Sequence, residues 1–185
     1  HGGDIDIFIT KYDENMSLVW STFLGGNSRD IVHNMAVSDN AIWIVGETLS
    51  GNYPTTSNAI SKKFMGGSGD IIVSKLSLDG QLLYSTYFGG QEYDPAAGMA
   101  IDSNKNIWIT GRTNSNNFRT TTNAIKSSLD VWFYSFILKL SNNGELLYSS
   151  YIGGESSDFG LSVSYSESAN QVAISGFTDS KNYPI

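Results

Sequence analysis

The sequence predicts an all-β fold made of about three repeats, each a small antiparallel sheet. A nine-residue phrase that begins with Leu and ends with Gly-Gly occurs at 18–26, 82–90 and 146–154, a spacing of 64 residues both times. Self-similarity at a fixed period of this length indicates a repeat architecture. The 19 glycines and the 12% of aromatic residues are typical of short strands joined by tight turns.

The composition excludes several classes of function. The net charge of −7 argues against a nucleic-acid partner, which needs a basic surface, and against docking on an anionic membrane. No apolar run is long enough to span a bilayer. The absence of cysteine excludes disulfides and thiolate metal sites and leaves the cellular compartment open.

Each repeat is predicted to begin with two strands that form a hairpin. The first strand is rich in β-branched and aromatic residues, at 7–12, 71–76 and 136–140. Asp-Gly at 79–80 and Asn-Gly at 143–144 then supply the residues that two-residue hairpin turns prefer.

The repeated phrase is the second strand of each unit, and apolar side chains fall on both of its faces. Leu82, Tyr84 and Phe88 point one way, and Leu83 and Tyr87 point the other. We therefore expect a sheet that is covered on both sides.

Two further strands complete the unit. The third, at 30–37, 94–101 and 158–165, is rich in Ala, Gly and Ser, which suits a crowded innermost position. The fourth lies at 41–46, 106–111 and 171–176 and ends in glycine each time. A long connection then leads to the next repeat.

Four antiparallel strands with two apolar faces and a narrow inner strand describe a β-propeller blade. A β-solenoid would show shorter coils, and tandem sandwiches would need about seven strands each. The prediction is one propeller segment over 1–185, a partial arc of a larger propeller in a longer chain or half of a homodimer. Its parts are the outer half of a blade at 1–29, blades at 30–93 and 94–157, and the inner half of a blade at 158–185.

The repeats carry a family resemblance. Leu-Leu-Tyr-Ser-Thr-Tyr-Phe-Gly-Gly at 82–90, Asn-Ile-Trp-Ile-Thr-Gly-Arg-Thr at 106–113 and Tyr-Pro-Thr-Thr at 53–56 resemble the bacterial β-propeller repeat family called SBBP. The resemblance implies a propeller fold and a secreted or cell-surface bacterial protein. The chain departs from the pattern where Tyr134 replaces Asp70 and where Ala173 replaces the Trp of the other repeats.

Three recurring acids are the first candidates for a binding surface on the rim of the propeller: Asp30, Asp94 and Asp158. Each follows a Gly-Gly turn, so together they would gather a cation or a sugar. The alternative is that each carboxylate accepts backbone N–H groups within its own turn. Recurrence in every repeat favours this structural role.

Three aromatic residues at matched loop positions are the second candidates: Tyr53, Phe118 and Tyr183. Beside Thr and Asn they suit contacts with a carbohydrate or a protein. They suit packing against the neighbouring blade at least as well.

No catalytic residue, metal site or cofactor is predicted, because the chain has two histidines, no cysteine and no Gly-x-Ser-x-Gly elbow. Residues 102–106 start like a calcium loop but lack its later glycine and acid. The expected function is a non-enzymatic binding or scaffolding module whose rim loops contact a protein, a glycan or other parts of a longer chain. The alternatives are a propeller glycoside hydrolase or lyase and a purely structural repeat.

Overall fold

The computed structural model describes residues 1–38, 40–130 and 132–184, which form twelve strands and no helix. None of the described segments is therefore a helix that could cross a membrane. The strands in chain order are β1 (Ile7–Tyr12), β2 (Leu18–Leu24), β3 (Asp30–Ser38), β4 (Ala41–Thr48), β5 (Asp70–Ser77), β6 (Leu82–Phe88), β7 (Ala96–Ile101), β8 (Ile107–Thr113), β9 (Tyr134–Leu140), β10 (Leu146–Ile152), β11 (Asp158–Ser166) and β12 (Gln171–Thr178).

The strands pair in chain order into four sheets. Two sheets have four strands, β3-β4-β5-β6 and β7-β8-β9-β10, and two have two strands, β1-β2 and β11-β12. Every pair is antiparallel. The predicted fold class of four-stranded antiparallel sheets is confirmed, whereas the partial arc and the blade boundaries stay predictions.

Local sequence explains the hairpins. Gly80 and Gly144 take positive φ values of 82° and 86°, which glycine adopts without steric cost. The amide of Gly80 donates to the carbonyl of Ser77 at 3.0 Å, and the amide of Gly144 donates to that of Ser141 at 2.9 Å. The turns therefore form where the Asp-Gly and Asn-Gly pairs predicted them.

The small residues of the third strand allow close contact between sheets. Strand β7 lies against both β3 and β11. A Cβ at Gly98 would lie 2.8 Å from the Cα of Ser162 on β11, closer than real Cβ contacts come. The crowding that the small residues predicted is therefore present at this strand.

Both faces of the sheet β3-β4-β5-β6 are covered, as the two-sided apolar pattern predicted. One face joins β1-β2 in a core that contains Ile9, Ile44 and Tyr87. The other face joins β7-β8-β9-β10 in a larger core that contains Trp43 and Phe136.

The two-stranded sheets are much more exposed than the four-stranded ones. All eight residues of β4 are buried, whereas none of the eight residues of β12 is. Strand β4 pairs on both edges, whereas within the described part of the chain β12 pairs only with β11. Phe8 of β1 is 70% exposed, although the matching Ile72 of β5 is fully buried. The exposure follows from the missing neighbours on these sheets.

Candidate functional site

The carboxylate of Asp94 is the centre of a buried hydrogen-bond cage. It accepts from the amide of Gly90 at 2.6 Å, from the hydroxyl of Ser115 at 2.8 Å and from the hydroxyl of Thr113. Asp94 has no exposed surface. The cage ties the Gly-Gly turn after β6 to the segment that follows β8.

The other two recurring acids have the same three kinds of donor. Asp30 accepts from Gly26, Thr48 and Ser50, and Asp158 accepts from Gly154, Thr178 and Ser180. Asp30 is 1% exposed and Asp158 is fully buried. This placement favours the structural role over a ring of carboxylates that gathers a cation or a sugar. Among the residues that the structure describes, no three His, Asp or Glu side chains are grouped to hold a metal.

A second carboxylate lies beside the Asp94 cage. A Cβ at Gly89 would lie 2.8 Å from Asp70 Oδ1 and 2.9 Å from Asp94 Oδ2, so the glycine is required where the two acids approach each other. Asp70 Oδ2 accepts from the amide of Met65 at 2.5 Å, and its buried Oδ1 has no hydrogen-bond partner among the residues that the structure describes. Burial, with a smaller contribution from the nearby charge of Asp94, raises the pKa of Asp70 to about 7. Burial also raises the pKa of Asp94.

Two close carboxylates with raised pKa values are the raw material of a glycoside hydrolase. Here both Asp70 and Asp94 are fully buried, so a sugar cannot reach them. In the next repeat Tyr134 stands where Asp70 stands, against Gly153 and the carboxylate of Asp158. An uncharged side chain therefore fills the same place, which favours a structural position over a catalytic one.

We expect Asp70→Asn to stabilise the chain by about 2 kcal/mol at pH 8 and to have little effect at pH 4. In the folded chain Asp70 keeps its proton up to about pH 7, whereas an unperturbed aspartate carboxyl has a pKa of 3.8. Between pH 3.8 and about pH 7 the folded state holds a proton on Asp70 that the unfolded state has released. The free energy of unfolding therefore falls as the pH rises through this range. The asparagine variant has no carboxyl at this position and does not lose this stability. Urea unfolding from pH 4 to pH 8 measures the difference. A difference in unfolding free energy between Asp70→Asn and the unchanged chain that does not vary with pH would contradict the raised pKa of Asp70. The control is Asp79→Asn, because Asp79 lies in an exposed turn.

Two of the three candidate aromatic residues lie inside the cores. Tyr53 is 2% exposed, and its hydroxyl lies 3.1 Å from that of Ser74. Phe118 is 3% exposed and packs edge-to-face on Phe88 at 5.2 Å between ring centroids. Tyr183 is half-buried, and burial raises its pKa. These placements favour packing over partner contact.

The structure brings together a rim cleft that the sequence did not predict. The cleft has a volume of about 530 Å³, and one aromatic side chain stands beside amides and carboxylates in its wall. That side chain, Trp132, is 82% exposed, more than any other large hydrophobic residue described. The lining residues are Gln91, Glu92, Asn114, Asn116, Leu129, Asp130 and Trp132.

The turn that forms one wall of the cleft is held in place by the loop after β8. The amide of Gln91 donates to Asn117 Oδ1 at 2.9 Å, and the amide of Glu92 donates to the Ser115 hydroxyl at 2.8 Å. The same Ser115 hydroxyl donates to Asp94. The buried cage therefore positions the wall of the exposed cleft.

Sequence reasoning missed Trp132 because it sought features that the repeats share. Trp20, Trp43 and Trp108 lie on strands at positions that recur between repeats. Trp132 lies in the connection before β9, where the third repeat departs from the second. An unmatched tryptophan among many small polar residues was the available signal.

Four-stranded antiparallel sheets in chain order, with their first strands side by side, are the blade arrangement of a propeller. Residues 83–119 match the SBBP beta-propeller repeat family. The resemblance seen in the sequence is therefore confirmed for this part of the chain. The SBBP match runs from β6 to the loop after β8, and it contains every member of the cage around Asp94. No curated protein matches the chain.

Proposed function

We propose that this chain is a non-enzymatic binding module of a secreted or cell-surface bacterial protein, and that its rim loops bind a partner. Of the two partner classes expected from the sequence, a protein or a glycan, the rim cleft favours a glycan. The observation that carries the proposal is the exposed ring of Trp132 beside the cleft. The secreted or surface location is supported by the family resemblance alone.

The side chains of the cleft suit a sugar ring. The exposed indole of Trp132 offers an apolar face for the C–H groups of a pyranose. The amides of Gln91, Asn114 and Asn116 can both donate to and accept from hydroxyl groups. One flat apolar face beside several amides therefore matches the two kinds of surface that a pyranose presents, its C–H groups and its hydroxyls.

The charge of the cleft restricts the kind of sugar. Glu92 and Asp130 both line it, and among the described residues no lysine or arginine does. Hydrogen bonds from Tyr134 and Lys126 hold the pKa of Asp130 below its usual value, so its carboxylate is ionised at neutral pH. Like charges repel across an interface. A neutral glycan is therefore favoured over one that carries uronic or sialic acids.

Trp132→Ala is expected to weaken glycan binding about 30-fold, because a central tryptophan of a binding site contributes about 2 kcal/mol or more. An array of neutral oligosaccharides would identify the ligand, and calorimetry would compare the variants. Phe8→Ala is the matched control, since Phe8 is an exposed aromatic residue outside the cleft. Binding of Trp132→Ala with unchanged affinity, or no bound glycan, would contradict the proposal.

A structural role within a surface assembly is the second candidate, and the two half sheets favour it. Strand β12 lacks the neighbour that β4 finds in β5. Strand β1 occupies the position of β5 in its repeat. Within the described residues it pairs with β2 on one edge, and its other edge, which in β5 pairs with β4, has no strand beside it. A strand of the β1 type, from a second copy or from a longer chain, would complete the sheet. An array on which no glycan binds would favour this candidate.

A further inference from the structure

Three positions that match in the repeat pattern carry very different side chains. Glu47, Arg112 and Phe177 each stand directly before the threonine of a cage, on β4, β8 and β12. The cage residues around them recur because they hold the fold. The position before the cage threonine is an acid in one repeat, a base in the next and an aromatic residue in the third. The role of the cage in holding the fold does not explain this change.

Arg112 lies among aromatic rings and forms no ion pair with any described residue. Its guanidinium carbon is 5.3 Å from the ring centroid of Tyr93, 5.5 Å from that of Phe133 and 5.1 Å from that of Phe159. Cation–π contacts stabilise the charge without neutralising it. The guanidinium therefore keeps its capacity for an anion.

The carboxylate of Glu47, which the ring of Tyr93 links to Arg112, is already engaged by other groups. Glu47 is 4% exposed and accepts from the hydroxyl of Tyr93 at 2.7 Å. Its carboxylate also lies 3.7 Å from His33 Nε2 and 4.0 Å from the guanidinium of Arg29. Glu47 is thus already shared between Tyr93, His33 and Arg29, and no ion pair among the described residues joins it to Arg112.

A cavity of about 240 Å³ opens beside Arg112, with His33, Tyr93 and Leu161 in its wall. Phe159 and Phe177 also line it, and their rings stack at 4.5 Å between centroids. This cavity shares no lining residue with the Trp132 cleft. Its size is near the lower end for small-molecule sites, which suits a ligand of about one ring.

We propose that this cavity binds a small aromatic carboxylate, with the carboxylate on Arg112 and the ring against Phe159 and Phe177. The planar guanidinium matches a carboxylate in a bidentate pair. The stacked phenyl rings provide the apolar surface for the rest of the ligand. The site is independent of the proposed glycan cleft, so either can fail without the other.

Calorimetric or NMR titration with benzoate tests the site, with benzamide as the neutral probe of the same shape. Benzoate is expected to saturate one site and to bind at least about 10-fold more tightly than benzamide. Arg112→Gln should weaken benzoate binding at least about 10-fold and leave benzamide binding unchanged. Arg119→Gln is the matched control, since Arg119 is exposed and lies outside the cavity.

Phe177→Ala is a second variant, because its half-exposed side chain can be removed without opening a core. It should weaken both probes several-fold, and thermal unfolding would show that each variant remains folded. No saturable benzoate binding to the intact chain would overturn the proposal. Equal benzoate affinity of the intact chain and a folded Arg112→Gln variant would overturn it as well.

Discussion

Replacing Asp94 with alanine is expected to lower the free energy of unfolding by about 3–4 kcal/mol. The substitution removes the acceptor of three buried donors, the amide of Gly90 and the hydroxyls of Thr113 and Ser115. Each buried donor left without a partner costs about 1–3 kcal/mol of stability. Part of this cost is offset, because the variant no longer has to bury the carboxylate of Asp94. The cage also ties the turn after β6 to the loop after β8, so its loss loosens two segments.

Urea unfolding at pH 7 measures this effect. Asp79→Ala is the matched control, because Asp79 lies in an exposed hairpin turn, and a change within about 0.5 kcal/mol is expected there. A loss below about 1 kcal/mol for Asp94→Ala would show that the cage contributes little to the fold. The Trp132 cleft should also lose affinity in this variant, since the cage positions its wall.

Gly46→Ala is expected to destabilise the chain by about 3 kcal/mol or more. A Cβ at Gly46 would lie 1.9 Å from the carbonyl oxygen of Ile31 and 2.9 Å from its carbon. Both atoms belong to the backbone of the paired strand β3, so no side-chain rotation relieves the clash. The two strands must separate or bend at this point.

Gly51→Ala is the control for this experiment. A Cβ at Gly51 meets no atom within 4 Å, and its φ is not positive. Alanine there should be neutral or should stabilise the chain by up to about 1 kcal/mol, since it restricts the unfolded state. Chemical unfolding of the two variants side by side would show the contrast. Equal stabilities would contradict the crowding at β3.

A β-bulge explains why this glycine recurs. In each inner strand the register skips one residue, His33 in β3, Ala97 in β7 and Leu161 in β11. The bulged backbone comes close to the glycine opposite it. A Cβ would lie 2.2 Å from the Pro95 carbonyl at Gly111 and 1.8 Å from the Phe159 carbonyl at Gly176. The spacing of the glycines was visible in the sequence, but its cause was not.

Strand identity and strand order could be predicted from the sequence. Strand β6 occupies 82–88, as the repeated phrase predicted, and the Asp-Gly and Asn-Gly turns lie where they were expected. Period-2 patterns and turn residues act through neighbours in the chain, so a single sequence displays them. The repetition then extended the prediction from one unit to the next.

The location of the recurring acids could not be predicted in the same way. Asp94 follows a turn and was a candidate for the rim surface, although its recurrence favoured a structural role, and the structure buries it. Its hydroxyl donors, Thr113 and Ser115, lie 19 and 21 residues further along the chain. Only the pairing of β7 with β8 brings them to the carboxylate and makes its burial tolerable.

By itself, the sequence determined the all-β class, the four-stranded unit, the hairpin turns and the resemblance of residues 83–119 to the SBBP repeat, because these depend on patterns within one repeat. The tertiary structure decided which side chains face solvent. It buried Tyr53 and Phe118, left Trp132 exposed and placed Arg112 among three aromatic rings, with no ion pair to any described residue. Burial depends on contacts between residues that are distant in the chain, and those contacts exist only once the sheets lie face to face.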